Sequence, residues 1–165
     1  MGFERFGVVS FASETLASDF VTYLDEGKVM ATKCRACGEV YFPPRMQCTI
    51  CFSTDIEWFN VGQGKLITYT TVMYGPLGFE NDTPYTLALV EFSGGRPIKG
   101  ELPYMLHYDE CAQCTAHSPN CPLAFKVFGR LDKAIAEDDI KIGMALKAVP
   151  MTLPEDRISY EFKRV

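Results

Sequence analysis

The cysteines between residues 34 and 51 are the part of this sequence best suited to chemistry. They form two Cys-x-x-Cys pairs separated by a ten-residue spacer: Cys34 with Cys37, and Cys48 with Cys51. Each pair can place two sulfurs on one tight turn, and Gly38 permits the first of these turns. Two facing turns supply the tetrahedral four-sulfur shell of a structural zinc site. The spacing therefore predicts zinc bound by all four cysteines.

Other uses of these cysteines fit the sequence less well. An iron site of the rubredoxin type uses the same four ligands, and the sequence does not decide between zinc and iron. A redox-active Cys-x-x-Cys normally lies in a βαβ unit, whereas turns and short strands surround these pairs. Because a four-cysteine shell leaves no coordination position open, the predicted metal has a structural role and no catalytic one.

A second cluster of metal-binding residue types lies between positions 107 and 121. It contains His107, Cys111, Cys114, His117 and Cys121. Three thiolates and one imidazole would complete a second zinc shell, with either His107 or His117 as the fourth ligand. A surface loop with free cysteines explains the same residues, as does a nucleophilic cysteine with a histidine base, although a polar insertion holds such a pair poorly.

Composition and charge restrict the function and the location of the chain. The 165 residues are 47% hydrophobic and carry a net charge of −5, so the chain can bury a core and lacks the basic face typical of nucleic-acid binding. No apolar run approaches the roughly 18 residues needed to span a membrane, and the N-terminus lacks the pattern of a signal peptide. We therefore expect neither a nucleic-acid nor a membrane partner. A cytoplasmic location, where thiols stay reduced, is the consistent expectation.

One helix is predicted, over residues 13–26. Ser13 is the candidate N-cap, and Gly27 ends the pattern. The apolar residues at helical spacing, which define the predicted buried face, are Leu16, Phe20, Val21 and Leu24.

After residue 60 the pattern changes to short strands with Gly and Pro turns, which predicts a small closed barrel. The strand segments are GKLITYTTVMYG, PYTLALVEF, IKGEL, AFKVFGRL, MALKAV and ISYEFKRV. In the second segment both faces are apolar, so we expect Leu87 and Leu89 to be covered as well as Ala88, Val90 and Phe92. In the last segment Ile158, Tyr160 and Phe162 are predicted to point inward.

Several segments together resemble a known family. CRACGEVYFPPRMQCTIC, GQGKLITYTTV, PYTLALVEF and IKIGMALKAV, in this order, are similar to the small zinc-ribbon plus OB-fold proteins associated with acyl-CoA enzymes. The likeness covers most of residues 20–150 and leaves out the cysteine-rich segment 101–122 and the C-terminal extension. It implies a mainly β fold: an N-terminal helical segment over 1–28, a rubredoxin-like zinc ribbon over 29–60, and an OB-fold barrel over 61–165 with an insertion at 101–122.

The resemblance also implies a function. Members of this family act as non-catalytic accessory subunits beside thiolases, hydroxymethylglutaryl-CoA synthases or hydratases. The implied partner is a thiolase-like catalytic chain in a hetero-oligomer, with a CoA thioester as the substrate of the complex. Within the family, the likeness favours thiolytic cleavage of an aromatic 3-oxoacyl-CoA such as benzoylsuccinyl-CoA, from anaerobic toluene degradation. A hydratase-associated subunit and a free-standing acyl-CoA or lipid carrier are the alternatives.

Some remaining residues have simpler interpretations. Trp58 and Phe59 are expected to pack the ribbon on the barrel. Tyr74, Leu77 and Phe79 lie on the long turn between the first two barrel strands, where they could contact a partner or an acyl chain. The three adjacent carboxylates at 137–139 are expected to form a solvated turn, and SGGRPIKG a hairpin turn.

Overall fold

The computed structural model describes residues 3–7, 14–75, 82–93 and 124–165. Within them the fold is mainly β, as predicted. A 3-10 turn at Phe3–Arg5 precedes one short helix and eight strands, and another, at Glu137–Asp139, lies between the sixth and seventh strands. The helix and strands are α1 (Asp19–Asp25), β1 (Met30–Cys34), β2 (Val40–Tyr41), β3 (Ile56–Asn60), β4 (Gln63–Val72), β5 (Tyr85–Ser93), β6 (Ala124–Leu131), β7 (Ala145–Leu153) and β8 (Arg157–Arg164). No helix in these ranges has the length and apolarity needed to cross a bilayer.

Helix α1 begins later than the sequence predicts. The Ser18 hydroxyl accepts a hydrogen bond from the Thr15 N–H (2.9 Å) and donates one to the Thr15 carbonyl (2.7 Å), so a turn occupies these residues. Leu16, predicted on the buried face, is 85% exposed because it lies on this turn. The predicted N-cap, Ser13, lies outside the described residues. The rest of the predicted face is confirmed: Phe20, Val21 and Leu24 are buried.

The end of α1 is confirmed at Gly27. Its φ of +82° lies in the left-handed region that glycine adopts without steric cost. The Gly27 N–H donates to the Leu24 carbonyl (3.0 Å) and the Lys28 N–H to the Tyr23 carbonyl (2.8 Å), the two bonds of a Schellman motif. This turn directs the chain into β1.

The strands form two separate sheets. The first is antiparallel, with the order β2-β1-β3, and carries the first cysteine pair at the end of β1. The second is a closed barrel with the order β4-β5-β6-β8-β7, completed by pairing of β4 with β7. Numbered within the barrel this order is 1-2-3-5-4, with β6 and β8 parallel and every other pair antiparallel. The predicted IKGEL strand lies outside the described residues.

Gly64 lies where β4 pairs with both of its neighbours, Phe92 of β5 and Leu146 of β7. A methyl group at this position would be 2.7 Å from the Glu91 carbonyl oxygen and 2.7 Å from Val90 Cγ1. Because one of these atoms belongs to the backbone, a side-chain rotation cannot relieve the contact. The barrel therefore closes at a position that requires glycine.

The barrel interior matches the predicted inward faces except at Tyr160, which is only partly buried. Ala88, Val90 and Phe92 are completely buried, and Phe162 is too. Leu87 and Leu89 differ from the expectation: both remain partly exposed, because a closed barrel buries only its interior face.

One hydrophobic core joins the helix, the ribbon and the barrel. A row of edge-to-face aromatic rings crosses all three: Phe20 of α1 lies 5.9 Å from Phe42, and Phe42 lies 4.9 Å from Tyr160 of β8. As predicted, the ribbon also packs on the barrel through Phe59, whose ring is 5.9 Å from that of Phe125. The ribbon is thus built into the barrel core.

Candidate metal centre

Two short turns bring the four cysteines together. In the first, the Gly38 N–H donates to the Cys34 carbonyl (2.7 Å) and the Cys34 N–H donates to the Glu39 carbonyl (2.8 Å). Gly38 has φ +73°, as the predicted turn requires. In the second turn the Cys48 N–H donates to the Ser53 carbonyl (2.9 Å). The position equivalent to Gly38 is Phe52, which holds φ +57°.

The four sulfurs form a compact, shielded group. All lie within 4.8 Å of one another, with Cys34 and Cys51 at 3.6 Å and Cys37 and Cys48 at 3.3 Å. A tetrahedral zinc site with Zn–S bonds of about 2.3 Å has sulfurs about 3.8 Å apart. Cys34, Cys37 and Cys48 are buried and Cys51 is partly so. The four predicted ligands are therefore positioned for metal binding, and the spacing fits zinc.

The environment treats the thiols differently. Burial raises the pKa of both Cys34 and Cys37. Burial also acts to raise the pKa of Cys48, but hydrogen bonds from the Cys51 N–H, the Tyr41 hydroxyl and the Ile50 N–H outweigh it and lower that pKa to about 6. The thiolate form is thus favoured at Cys48, and a bound cation would stabilise negative charge on Cys34 and Cys37.

Two residues at this centre were not predicted from the sequence. Tyr41, in β2, is buried with its hydroxyl 3.2 Å from Cys48 Sγ. Phe52 is 73% exposed and holds a backbone conformation that costs a non-glycine residue about 1 kcal/mol or more. No sequence motif identifies Tyr41 or Phe52 as part of this centre, because their positions depend on the way the ribbon folds back on itself.

The other candidate residues have separate outcomes. The second cluster, His107 to Cys121, lies entirely outside the described residues, as do Leu77, Phe79 and all of SGGRPIKG after Ser93. Tyr74 is 93% exposed, and its role as a contact residue remains a prediction. The carboxylates at 137–139 are exposed on a 3-10 turn, as expected. Trp58 packs against the core and its ring lies 5.3 Å from that of Tyr23.

A small cavity lies at the end of the barrel near the start of β5. Its volume is about 210 Å³, and its lining mixes apolar residues such as Leu131 and Ile140 with Lys133 and Glu137. Beside it the Asp82 carboxylate accepts a hydrogen bond from Arg130 (2.9 Å) and one from Lys133 (3.3 Å), which together lower the pKa of Asp82 despite an opposing contribution from burial. One carboxylate is thus shared by two cations at the rim.

Two family descriptions match the two halves of this architecture. Residues 22–57 match the ChsH2 rubredoxin-like zinc ribbon domain, and residues 61–149 match the ChsH2 C-terminal OB-fold domain. The chain belongs to the ChsH2 family. The resemblance stated from the sequence is confirmed, and the barrel is the OB fold of this family.

Known relatives share sequence similarity with parts of this chain. Two are DUF35 domain-containing scaffold proteins. One, from Methanocaldococcus jannaschii, is 37% identical over 76 residues, which are 45% of this chain and 54% of that protein. The other, from Pyrococcus furiosus, is 40% identical over 81 residues, 48% of this chain and 59% of that protein. The matched regions span little more than half the length of these relatives.

A solved structure has the same fold. The Ltp2-ChsH2(DUF35) aldolase structure contains a chain that aligns with 88% of this one and 91% of its own length, at 20% identity and a TM-score of 0.59. At this identity the likeness shows the architecture alone.

Proposed function

We propose that this chain is a non-catalytic accessory subunit of an acyl-CoA enzyme of the thiolase type, located in the cytoplasm. The partner chain carries the nucleophile and the base. The zinc ribbon stabilises the module, and the OB barrel lends its surface to the acyl-CoA site of the complex. The observation that carries this proposal is the ribbon and barrel sharing one core, in a family whose relatives include scaffold proteins.

Zinc is the proposed metal because four clustered sulfurs, three of them on buried cysteines, lie at near-tetrahedral spacing and match its preference. The ion would be held by Cys34, Cys37, Cys48 and Cys51 and would stabilise a module too small to fold alone. Elemental analysis of the purified protein is expected to find one zinc per chain at this centre. The Cys48→Ser variant is expected to lose it. Full zinc content in that variant would contradict the assignment. Iron in the wild-type protein would instead identify the centre as a rubredoxin-type iron site.

The proposed second metal, bound by Cys111, Cys114 and Cys121 with His117 or His107, is tested by the same measurement. A second zinc is expected only if this cluster closes a shell. The triple Cys→Ser variant at these positions would then return the content to one ion while Cys34 to Cys51 stay occupied. A content of one in both proteins would leave residues 107–121 as a loop with free thiols.

The barrel-end cavity supports a shared binding site better than a free-standing carrier. Its volume of about 210 Å³ lies below the roughly 300–1,000 Å³ of pockets that enclose small ligands. A CoA thioester is larger still, so this cavity alone would leave most of it in water. We propose that the partner completes the site. Calorimetry on the isolated chain is expected to show weak or no acyl-CoA binding, and tight binding there would favour the carrier function instead.

The proposed reaction of the complex is thiolytic cleavage of an aromatic 3-oxoacyl-CoA such as benzoylsuccinyl-CoA. This proposal rests on the family resemblance. An aldolase partner is the second candidate, because the structural neighbour is an aldolase complex. Both reactions break a carbon–carbon bond next to a carbonyl group, but only thiolysis consumes free CoA. A hydratase partner would break no carbon–carbon bond. A requirement for free CoA in the assembled complex therefore identifies thiolysis, and carbon–carbon cleavage without such a requirement separates an aldolase partner from a hydratase.

Co-expression with a thiolase-like chain, followed by native mass spectrometry, tests the assembly. We expect a hetero-oligomer in which the small chain retains its metal, and cleavage activity only when both chains are present. A small chain that stays monomeric beside every such candidate would contradict the proposal. Activity of the large chain alone at the full rate would contradict the accessory role in catalysis.

A further inference from the structure

The hydroxyl of Tyr41 lies against one sulfur of the metal centre. It is 3.2 Å from Cys48 Sγ and 3.1 Å from the Thr49 hydroxyl, and it accepts a hydrogen bond from the Thr49 N–H at 2.8 Å. Tyr41 is only 9% exposed, so water does not readily replace these contacts. The Thr49 N–H fixes the hydroxyl oxygen and leaves its hydrogen free to point elsewhere.

The chemistry of a bound metal decides where that hydrogen goes. A cysteine that ligates a metal is a thiolate and has no proton to donate. Within the Tyr41–Cys48 pair of the metal-bound protein, Tyr41 can therefore only be the donor and Cys48 the acceptor. The Thr49 hydroxyl is the competing acceptor at nearly the same distance. Cys48 Sγ also receives the Ile50 N–H at 3.4 Å and the Cys51 N–H at 3.5 Å.

We infer that Tyr41 is a positioning residue of the metal centre, which orients the Cys48 thiolate and withdraws electron density from it. This inference rests on the proposed four-cysteine site. Hydrogen bonds from neighbouring groups fix a ligand's direction and tune its electron donation to the metal. Without the Tyr41 hydroxyl, the Cys48 sulfur keeps its two backbone N–H donors but loses its hydrogen bond from the side chain in β2.

The test uses two variants and Co²⁺ as a spectroscopic substitute for zinc. Tyr41→Phe removes the donor and keeps the ring. We expect its sulfur-to-cobalt charge-transfer band to move to lower energy and its zinc to pass to a competing chelator about 10-fold faster. Thr49→Val removes the competing acceptor and keeps the Thr49 N–H. Its band is expected to move to higher energy, because only the sulfur remains for the tyrosine hydrogen.

The outcomes separate the inference from the site on which it depends. Failure of the wild type to bind Co²⁺ would reject the metal centre itself. Binding with identical bands and release rates in Tyr41→Phe and the wild type would overturn the role of Tyr41. A residue that merely fills space would leave the band in place. If Tyr41→Phe does not fold, Thr49→Val decides alone: an unshifted band rejects the inference.

Discussion

Truncation of Phe42 tests whether the ribbon and the barrel are one cooperative unit. Phe42 follows β2, and its ring contacts Phe20 of α1 and Tyr160 of β8, both in edge-to-face geometry. It is the central ring of the row that joins the helix, the ribbon and the barrel. The Phe42→Ala variant removes both contacts at once and leaves the four cysteines unchanged.

The structure sets the size of the expected effect. Truncating a fully buried phenylalanine costs about 3–5 kcal/mol, and each well-oriented ring pair contributes about 0.5–1.5 kcal/mol of such a loss. Because Phe42 is only half-buried, we expect a loss of about 3 kcal/mol in the free energy of unfolding. With a urea dependence of about 2 kcal/mol per molar, the midpoint would fall by roughly 1.5 M.

The chain contains its own probe for this experiment. Its single tryptophan, Trp58, lies in β3 of the ribbon, so tryptophan fluorescence follows the ribbon. Far-UV circular dichroism follows mainly the barrel, which holds most of the strand residues. In the wild type the two urea transitions are expected to coincide. In Phe42→Ala both are expected to shift, or the ribbon to unfold first.

Phe128→Ala is the matched control. Phe128 is 56% exposed on the outside of β6, so its truncation is expected to change stability by no more than about 0.5 kcal/mol. The same shift in both variants would show that position 42 has no special role. Coincident, unshifted transitions in Phe42→Ala would refute the shared core as the link between ribbon and barrel.

Three further predictions follow from single positions. Gly64→Ala is expected to lower the free energy of unfolding by about 2–4 kcal/mol, because its methyl group would meet the β5 backbone at 2.7 Å, and a melting temperature within 1 °C of the wild type would contradict this. Phe52→Asn is expected to raise stability by about 0.5–1 kcal/mol by relieving φ +57° with zinc content unchanged, and a loss of stability would show that the exposed ring makes a contact worth more than the strain. Asp82→Asn is expected to cost less than about 1 kcal/mol at pH 7, since Asp82 is partly solvated beside Arg130. The folded pKa of Asp82 lies below its unfolded value of about 3.9. This stabilisation is therefore present above about pH 5 and is lost as pH falls through the folded pKa. A difference in the free energy of unfolding between wild type and Asp82→Asn that grows in acid would contradict the pairing.

The sequence predicted the metal centre well because its geometry is local. Two residues between cysteines fix the distance between their sulfurs, and Gly38 marks a turn that needs positive φ. The barrel strands were also accessible, since alternation along Ile158 to Phe162 reflects which side chains face the interior. The order of the strands around the barrel was not predicted from the strand segments, because strand composition does not determine which strands pair; only the family resemblance indicated an OB fold.

The sequence was less informative where a tertiary contact decides. The start of α1 was placed too early because the hydrogen bonds between Ser18 and Thr15 outweigh helical periodicity. The contact of Tyr41 with Cys48 depends on how the ribbon folds back, so nothing in the spacing indicates it. The partial exposure of Leu87 and Leu89 depends on which barrel face is covered, and an apolar side chain alone does not reveal that.

The pairing of Ser93 with Ala124, at the end of the β5–β6 pair where the chain connects the two strands, has an engineering consequence. The chain leaves the barrel at Ser93 and re-enters it at Ala124, at adjacent points, so a short turn can span the distance between them. A designed variant with a four-residue turn in place of residues 94–123 closes 4 residues of chain where the natural sequence closes 30, and the entropic cost of that closure alone falls by about 2 kcal/mol. Such a minimal protein would keep the ribbon and the barrel while losing every residue from His107 to Cys121, and could serve as a platform for grafting foreign loops.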